Sequence, residues 1–439
     1  MAQSGVFYLC VNLRNLREII CGKSLTKIQN NRIFAENYSA MATKLLPYGV
    51  SDFTDLIKSN LYYVDKTQYI ELIEKSPRYL FLIRPRRFGK SLFLNMLSAY
   101  YDVNRKEQFE QIFGNLYIGK HPTEDRNKYL ILSFNFSNVN TSVEKLERSF
   151  EQNCYESFVN FSRAYKKYFD EDFGTELEKR EDSTSKLAYL SNRASEKDLP
   201  VYLFIDEYDK FANTILASPM DGHERYKALT HGGGFYKNFF TYVKTATTAN
   251  DAAIKKMFIT GVSPVTMDDV TSGFNIGTNI TINREFNSVL GFSRDEVIEM
   301  MNYYKSEGMI NDDIDKPLSI MEEWYDNYCF AKACIGEKVF NSDMVLYFIE
   351  SYIRNKEYPD ILIDSNVRTD YGKLRHFIIL GFFQNRILCD DNRLNIMTGG
   401  NLVHDMQHDL LNNCAQSSRT GFTGDGEPCN FLNRVVLKG

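Results

Sequence analysis

Four short runs of apolar residues punctuate the chain: YLFLI (79–83), YLILSFNF (129–136), VYLFI (201–205) and KMFITGV (256–262). They do not alternate with polar residues, so each predicts a strand covered on both faces. Buried strands separated by helical stretches imply a parallel sheet between layers of helices. SLFLNMLSAYY (91–101) is apolar on most faces and predicts a buried helix. YYVDKTQYIELI (62–73) predicts a short strand, a turn and a helix start. Residues 143–198 read as charged helices, with EKREDSTSK a solvated loop or helix end, and THGGGF (230–235) marks a joint. Beyond 286 the pattern turns helical. Ser293 and Glu296 have capping-box spacing ahead of VIEMMNYY.

The two ends are patterned differently. Residues 1–45 have weak periodicity and are expected to be an extension, with Met41 just ahead of the first strongly patterned segment. The core is expected over 46–285 and a smaller helical, lid-like module over 286–380. Residues 381–439 are rich in Asn, Asp and Gly and predict a poorly patterned tail.

Composition narrows the class. The 439 residues are 43% apolar and 25% charged, ordinary for a water-exposed globular fold. With 52 basic and 57 acidic residues, the net charge of -5 gives no global field for nucleic acid. Eight cysteines are scattered without a CxxC pair, which argues against structural zinc and fits reduced thiols in a cytoplasmic protein. No run approaches the roughly 20 apolar residues of a membrane span. HDMQH places His404 and His408 one helical turn apart, but with Asp405 at its second position it departs from the zinc-protease pattern and reads as exposed histidines.

The candidate chemistry sits at the strand ends. After YLFLI comes Arg84-Pro85-Arg86-Arg87-Phe88-Gly89-Lys90-Ser91. A phosphate loop is G-x-x-x-x-G-K-[ST] between strand and helix, and all but its first fixed position match. Arg84 stands where glycine is expected. These eight residues are the candidate nucleotide-binding loop. Backbone N–H groups and the helix N-terminus would attract phosphate oxygens, Lys90 would reach the β- and γ-phosphates, and Ser91 would ligate Mg²⁺. Alone, GKS could simply open a helix. A second signal changes the balance: VYLFI ends in Asp206-Glu207, where α/β sheets bind ligands. Asp206 would hold the metal, and Glu207 would act as general base on the attacking water. At the end of the fourth run, Thr260 would contact the γ-phosphate or that water, with Ser263 the competing choice.

Five segments taken together resemble the bacterial AAA-ATPase-like family: LPYGVSDFTDLIKSNLYYVDKT, FLIRPRRFGKSLFLNML, LFIDEYDKFAN, FITGVSPVTMDDVTSGFNIGTNIT and WYDNYCFAKACIGEKVFNSDMVLYFI. The resemblance runs from about 46 to 380. It implies an α/β P-loop NTPase of AAA-like type, with ATP and Mg²⁺ as ligands and hydrolysis of the β–γ bond as the activity. It also makes Arg84 expected, since the family's loop reads R-P-R-R-F-G-K-S. Arg284 would be an arginine contact to the γ-phosphate or, more simply, a surface residue. Cys329 departs from the arginine common at its place. The family's frequent nuclease-like domain is not expected here, because the match fades after ILIDSNVRTDYGKLRHFIIL. The expected activity is an ATPase that couples nucleotide state to movement of the helical module. The alternative is a nucleotide-gated switch with little turnover, in a nucleic-acid-associated defence or mobile-element system. The partners implied are the nucleotide, further copies of the chain, and a protein or nucleic acid.

Overall fold

The computed structural model describes residues 43–137, 145–210, 234–249, 251–262, 276–310, 313–326 and 328–364. It also describes Ile215 and a two-stranded ribbon at 389–390 and 393–394. The chain divides into two compact units at Leu45–Leu46, and everything below concerns the second.

In chain order its elements are α1 (Phe53–Lys58), α2 (Tyr69–Lys75), β1 (Tyr79–Ile83), α3 (Lys90–Tyr101), α4 (Phe109–Phe113), α5 (Tyr117–Lys120) and β2 (Leu130–Asn135). There follow α6 (Leu146–Ala164), α7 (Phe173–Glu178), α8 (Ser183–Glu196), β3 (Val201–Asp206), α9 (Phe235–Thr248), β4 (Ile254–Gly261) and β5 (Thr278–Asn279). The helices α10 (Arg294–Ser306), α11 (Asp315–Tyr325) and α12 (Ser342–Asn355) come last. The apolar runs form β1 to β4, and all six residues of β3 are buried. These strands and β5 make one five-stranded sheet in the order β2-β3-β4-β1-β5, parallel throughout. Parallel neighbours need crossovers, and helices supply them. Placing β4 between β1 and β3 matters most for the site. Register pairs Leu82 with Thr260, Ile83 with Gly261, and Ile205 with Ile259. The carboxyl ends of β1, β3 and β4 therefore finish at one level.

The core is unusually aromatic. Phe134 packs edge-on against Phe158 and Phe239, and Phe150 packs against Phe239 and Tyr236. α3, buried along most of its length, packs on β2 and β3. A second hydrophobic core gathers Val297, Met300, Met301, Tyr304, Leu318, Met321, Tyr325, Met344, Val345 and Phe348 from α10, α11 and α12, with Phe292 from just before α10. Its entry is fixed as the spacing predicts. Ser293 Oγ accepts from the Glu296 N–H and the Glu296 carboxylate accepts from the Ser293 N–H, a complete capping box.

One expectation needs correction. No strand forms at 62–64. Tyr63 packs on the sheet's core while Tyr62 and Val64 pack on the second, so the alternation reflects two facing cores. β5 carries no apolar run; it is a two-residue edge strand inside SGFNIGTNIT. His404, His408, Ser263 and nearly all of 381–439 lie outside the described residues.

Candidate functional site

The loop between β1 and α3 gathers the predicted chemistry. Gly89 caps α3 with φ 85°, a left-handed conformation that glycine adopts without strain. Arg87 adopts φ 67° without that freedom, at a cost of about 1 kcal/mol. Lys90, the first residue of α3, is 7% exposed. Its Nζ donates to the carbonyls of Arg84 and Pro85 at 3.0 and 2.9 Å. Burial pushes the Lys90 ammonium below its usual range, while the charges of Asp206, Asp209 and Glu207 pull it back up.

The ends of β3 and β4 complete the arrangement. Ser91 Oγ donates to Asp206 Oδ2 at 2.6 Å, and Thr260 Oγ1 donates to Asp206 Oδ1 at 2.6 Å. Because Ser91 spends its proton on Asp206, its oxygen lone pairs remain for a cation. This all-oxygen donor set fits a hard ion such as Mg²⁺ better than a thiophilic one. Glu207 sits at φ 53° and lines the adjoining cavity.

Asp209 was quoted in the sequence but given no role. It is 1% exposed, and both its oxygens lie 3.1 Å from the Val262 N–H. A Cβ on Gly261 would meet the Tyr208 ring at 2.4 Å and Asp209 Oδ1 at 2.7 Å. The end of β4 thus needs glycine where it passes the DEYD turn.

The cavity measures about 430 Å³, within the range of small-molecule sites. Its lining combines the cations Arg86, Arg87, Lys90, Lys66 and Lys210, the acids Glu207 and Asp343, and apolar or aromatic side chains that include Pro47, Val50, Tyr62, Val64, Leu290, Phe292, Met300 and Leu346. Lys66 is paired: its ammonium bonds the Glu296 carboxylate at 2.7 and 2.8 Å and the Ser288 carbonyl at 3.1 Å. This pair ties the segment before α2 to the first turn of α10.

Arg84 requires a correction. Its side chain is fully buried and faces away from the cavity. Nη1 donates to the carbonyls of Ile83 and Thr281, both at 2.9 Å, and Nη2 to that of Phe286 at 2.6 Å. The guanidinium lies 3.8 Å from the centre of the Phe330 ring. Burial lowers it to about 9, with Tyr69 pulling it back up. Arg84 is therefore a strut, and only its backbone belongs to the loop's chemistry. Phe88 is likewise 1% exposed, set edge-on against Tyr328 and Phe330. The other candidates, Pro85, Arg86, Arg87, Gly89, Lys90, Ser91, Asp206, Glu207 and Thr260, converge on one end of the sheet.

A family model for predicted AAA-ATPases matches residues 47–271, just over half of the chain, a stretch that includes the 84–91 loop, Asp206, Glu207 and Thr260. The chain belongs to the AAA-ATPase-like family. Arg84 and the DEYD turn are thus part of the scaffold of a family member. A curated protein of Azotobacter chroococcum mcd 1, "Uncharacterized protein in vnfD 5'region", is 26% identical over 334 residues. That alignment takes in 74% of this chain and 56% of the relative, so the chain spans about half the length of the curated relative it matches. Among solved structures, Cdc6p from Pyrobaculum aerophilum is a distant likeness: 13% identity, 85% of this chain and 92% of that one, with a TM-score of 0.36. Among the described residues no helix is long and apolar enough to cross a membrane.

Sequence reasoning missed the contribution of α12 to this AAA-ATPase-like site. Asn341 caps α12 and also donates to the Arg86 carbonyl at 3.3 Å, while Ser342 Oγ donates to that of Arg87 at 3.1 Å. The signal was present: Asn-Ser-Asp ahead of an apolar run is a helix-start pattern.

Proposed function

We propose that the protein binds ATP with Mg²⁺ and hydrolyses its β–γ bond. One observation carries the reading: Lys90, Ser91, Asp206 and Thr260 meet at the carboxyl end of a parallel sheet, beside a cavity lined by both cationic and apolar side chains. The cationic side chains suit phosphates, and the apolar ones, with Tyr62 and Phe292, suit a planar base.

Each residue then has a role. The backbone N–H groups of 86–91 and the amino end of α3 hold phosphate oxygens. Lys90 exchanges its two carbonyl partners for phosphate, which repays the cost of keeping its charge buried. Ser91 and Asp206 are the residues that would hold Mg²⁺, which when bound neutralises phosphate charge. Thr260 fixes the Asp206 carboxylate. Glu207 accepts a proton from the attacking water as the phosphoryl group transfers.

The test is phosphate release from Mg-ATP under multiple turnover, wild type against Glu207→Gln. The expected result is turnover in the wild type and a loss of about 100-fold in the variant, with binding retained. Equal rates in the two would overturn Glu207 as the base. Tight binding without wild-type turnover would overturn hydrolysis in favour of a nucleotide-gated switch.

A further inference from the structure

The first turn of α12 rests on the outer rim of the phosphate loop. Asn341 Nδ2 reaches the Arg86 carbonyl, and Ser342 Oγ and the Asp343 N–H both reach that of Arg87. Arg87 answers from the loop: its Nη1 lies 3.9 Å from Asp343 Oδ1. The two partners differ in freedom. The Arg87 side chain is 42% exposed at the cavity, and that of Asp343 is 11% exposed. Asp364, 3% exposed, faces Asp343 and is itself held by the Tyr48 hydroxyl.

A carboxylate in the wall of a phosphate cavity is an unexpected choice, since like charges repel across a poorly solvated gap. Burial raises the Asp343 carboxyl to about 6; Arg87 pulls it down and Asp364 pushes it further up. It is thus mainly ionised at neutral pH and dependent on Arg87 for compensation. A phosphate entering the loop competes for that same arginine. The more negative the phosphate, the more strongly it draws Arg87 and the more it disfavours Asp343.

We propose that Asp343 is a charge gauge for this site: it weakens triphosphate binding relative to diphosphate, and yields Arg87 to the phosphate as the first turn of α12 lets go of the loop. The inference rests on the nucleotide reading above and extends it to product preference and to the element that moves. Asp343 acts through Arg87 and is a positioning residue.

The experiment is calorimetric titration of the full chain with Mg-ATP and with Mg-ADP, in wild type and in Asp343→Asn, which keeps the shape and removes the charge. The variant is expected to bind Mg-ATP about five- to tenfold more tightly and Mg-ADP about twofold more tightly, raising the ATP-to-ADP affinity ratio. Hydrogen exchange at the amides of 343–346 is expected to rise with Mg-ATP in the wild type. Should Asp343→Asn not fold, Asp343→Ser carries the same expectation. An unchanged ATP-to-ADP ratio in a folded variant overturns the gauge and leaves the nucleotide site standing. A wild type that binds neither nucleotide overturns the nucleotide reading, and the gauge with it.

Discussion

The two ends of the phosphate loop carry the same charge to opposite purposes. At its base, Arg84 is sealed: three backbone carbonyls hold its two terminal nitrogens, a phenyl ring lies against the guanidinium, and its side chain is not part of the cavity lining. At its far end, Lys90 is buried as deeply but held only by two carbonyls of its own loop, those of Arg84 and Pro85. Arg84 spans from β1 to the stretch around 281–286 and to Phe330, joining segments far apart in sequence. The hydrogen bonds of Lys90 stay within its own loop, and the distant acids Asp206, Asp209 and Glu207 reach it through charge alone. A buried cation hydrogen-bonded to distant segments holds a fold together, whereas one hydrogen-bonded only within its own loop is available to a ligand. That difference is what the comparison teaches, and it can be attacked directly.

The largest effect is expected at Arg84. Arg84→Ala strips three carbonyls of their donor and opens a hole beneath Phe330, and should cost about 4 kcal/mol in urea unfolding. Arg84→Lys cannot reproduce the fork and the ring contact and should recover less than half of that. A near-neutral Arg84→Ala would break the assignment of this residue as a strut. Next comes Lys66, a cavity-lining cation that, like Arg84, has a distant partner in Glu296. Lys66→Met should cost about 3 kcal/mol of stability, because the Glu296 carboxylate is left without its counter-charge. Asp206→Asn belongs to the ligand end. It should leave the unfolding midpoint nearly unchanged and weaken the dependence of nucleotide binding on Mg²⁺ about 100-fold, measured by titration with and without the ion.

The smallest effect is a pH dependence at Asp343, which faces Arg87 from the loop and Asp364 and Tyr48 from the flanking segments. Burial raises its folded carboxyl to about 6, from an ordinary value of 3.8. The folded state therefore holds a proton that the unfolded chain gives up between about pH 4 and pH 6. Its contribution to stability is fullest below pH 4 and is lost as pH rises through 6. Asp343→Asn should equal the wild type near pH 4 and exceed it by roughly 1 kcal/mol above pH 7, after allowance for screening at the cavity. A gap that is constant with pH would contradict this account.

Much of this was legible in the chain. The apolar runs located four of the five strands in the main sheet, because a strand buried on both faces leaves a continuous signature. The GKS tripeptide that opens α3 and the DE pair at the end of β3 singled out Lys90, Ser91, Asp206 and Glu207, because short motifs at element ends are set by local geometry. What escaped depends on contacts across the fold. Arg84 matched a loop position, yet its partners Thr281, Phe286 and Phe330 lie about 200 residues or more further along, and nothing near Arg84 in sequence names them. Tyr62 to Val64 resembled a strand because two cores face that segment from opposite sides. Asn341 to Asp343 carried a readable cap, but its docking on the loop carbonyls follows only from how α12 packs.

The central claim is that Lys90 is a ligand-binding cation set in a scaffold that stands without it. The most direct measurement is calorimetric titration of Mg-ATP into wild type and Lys90→Ala, with the unfolding midpoint of each recorded in the absence of nucleotide. The account predicts saturable binding in the wild type, a loss of at least about 100-fold in affinity in the variant, and unfolding midpoints that agree. Equal affinities, or a variant that loses stability as Arg84→Ala should, would contradict it.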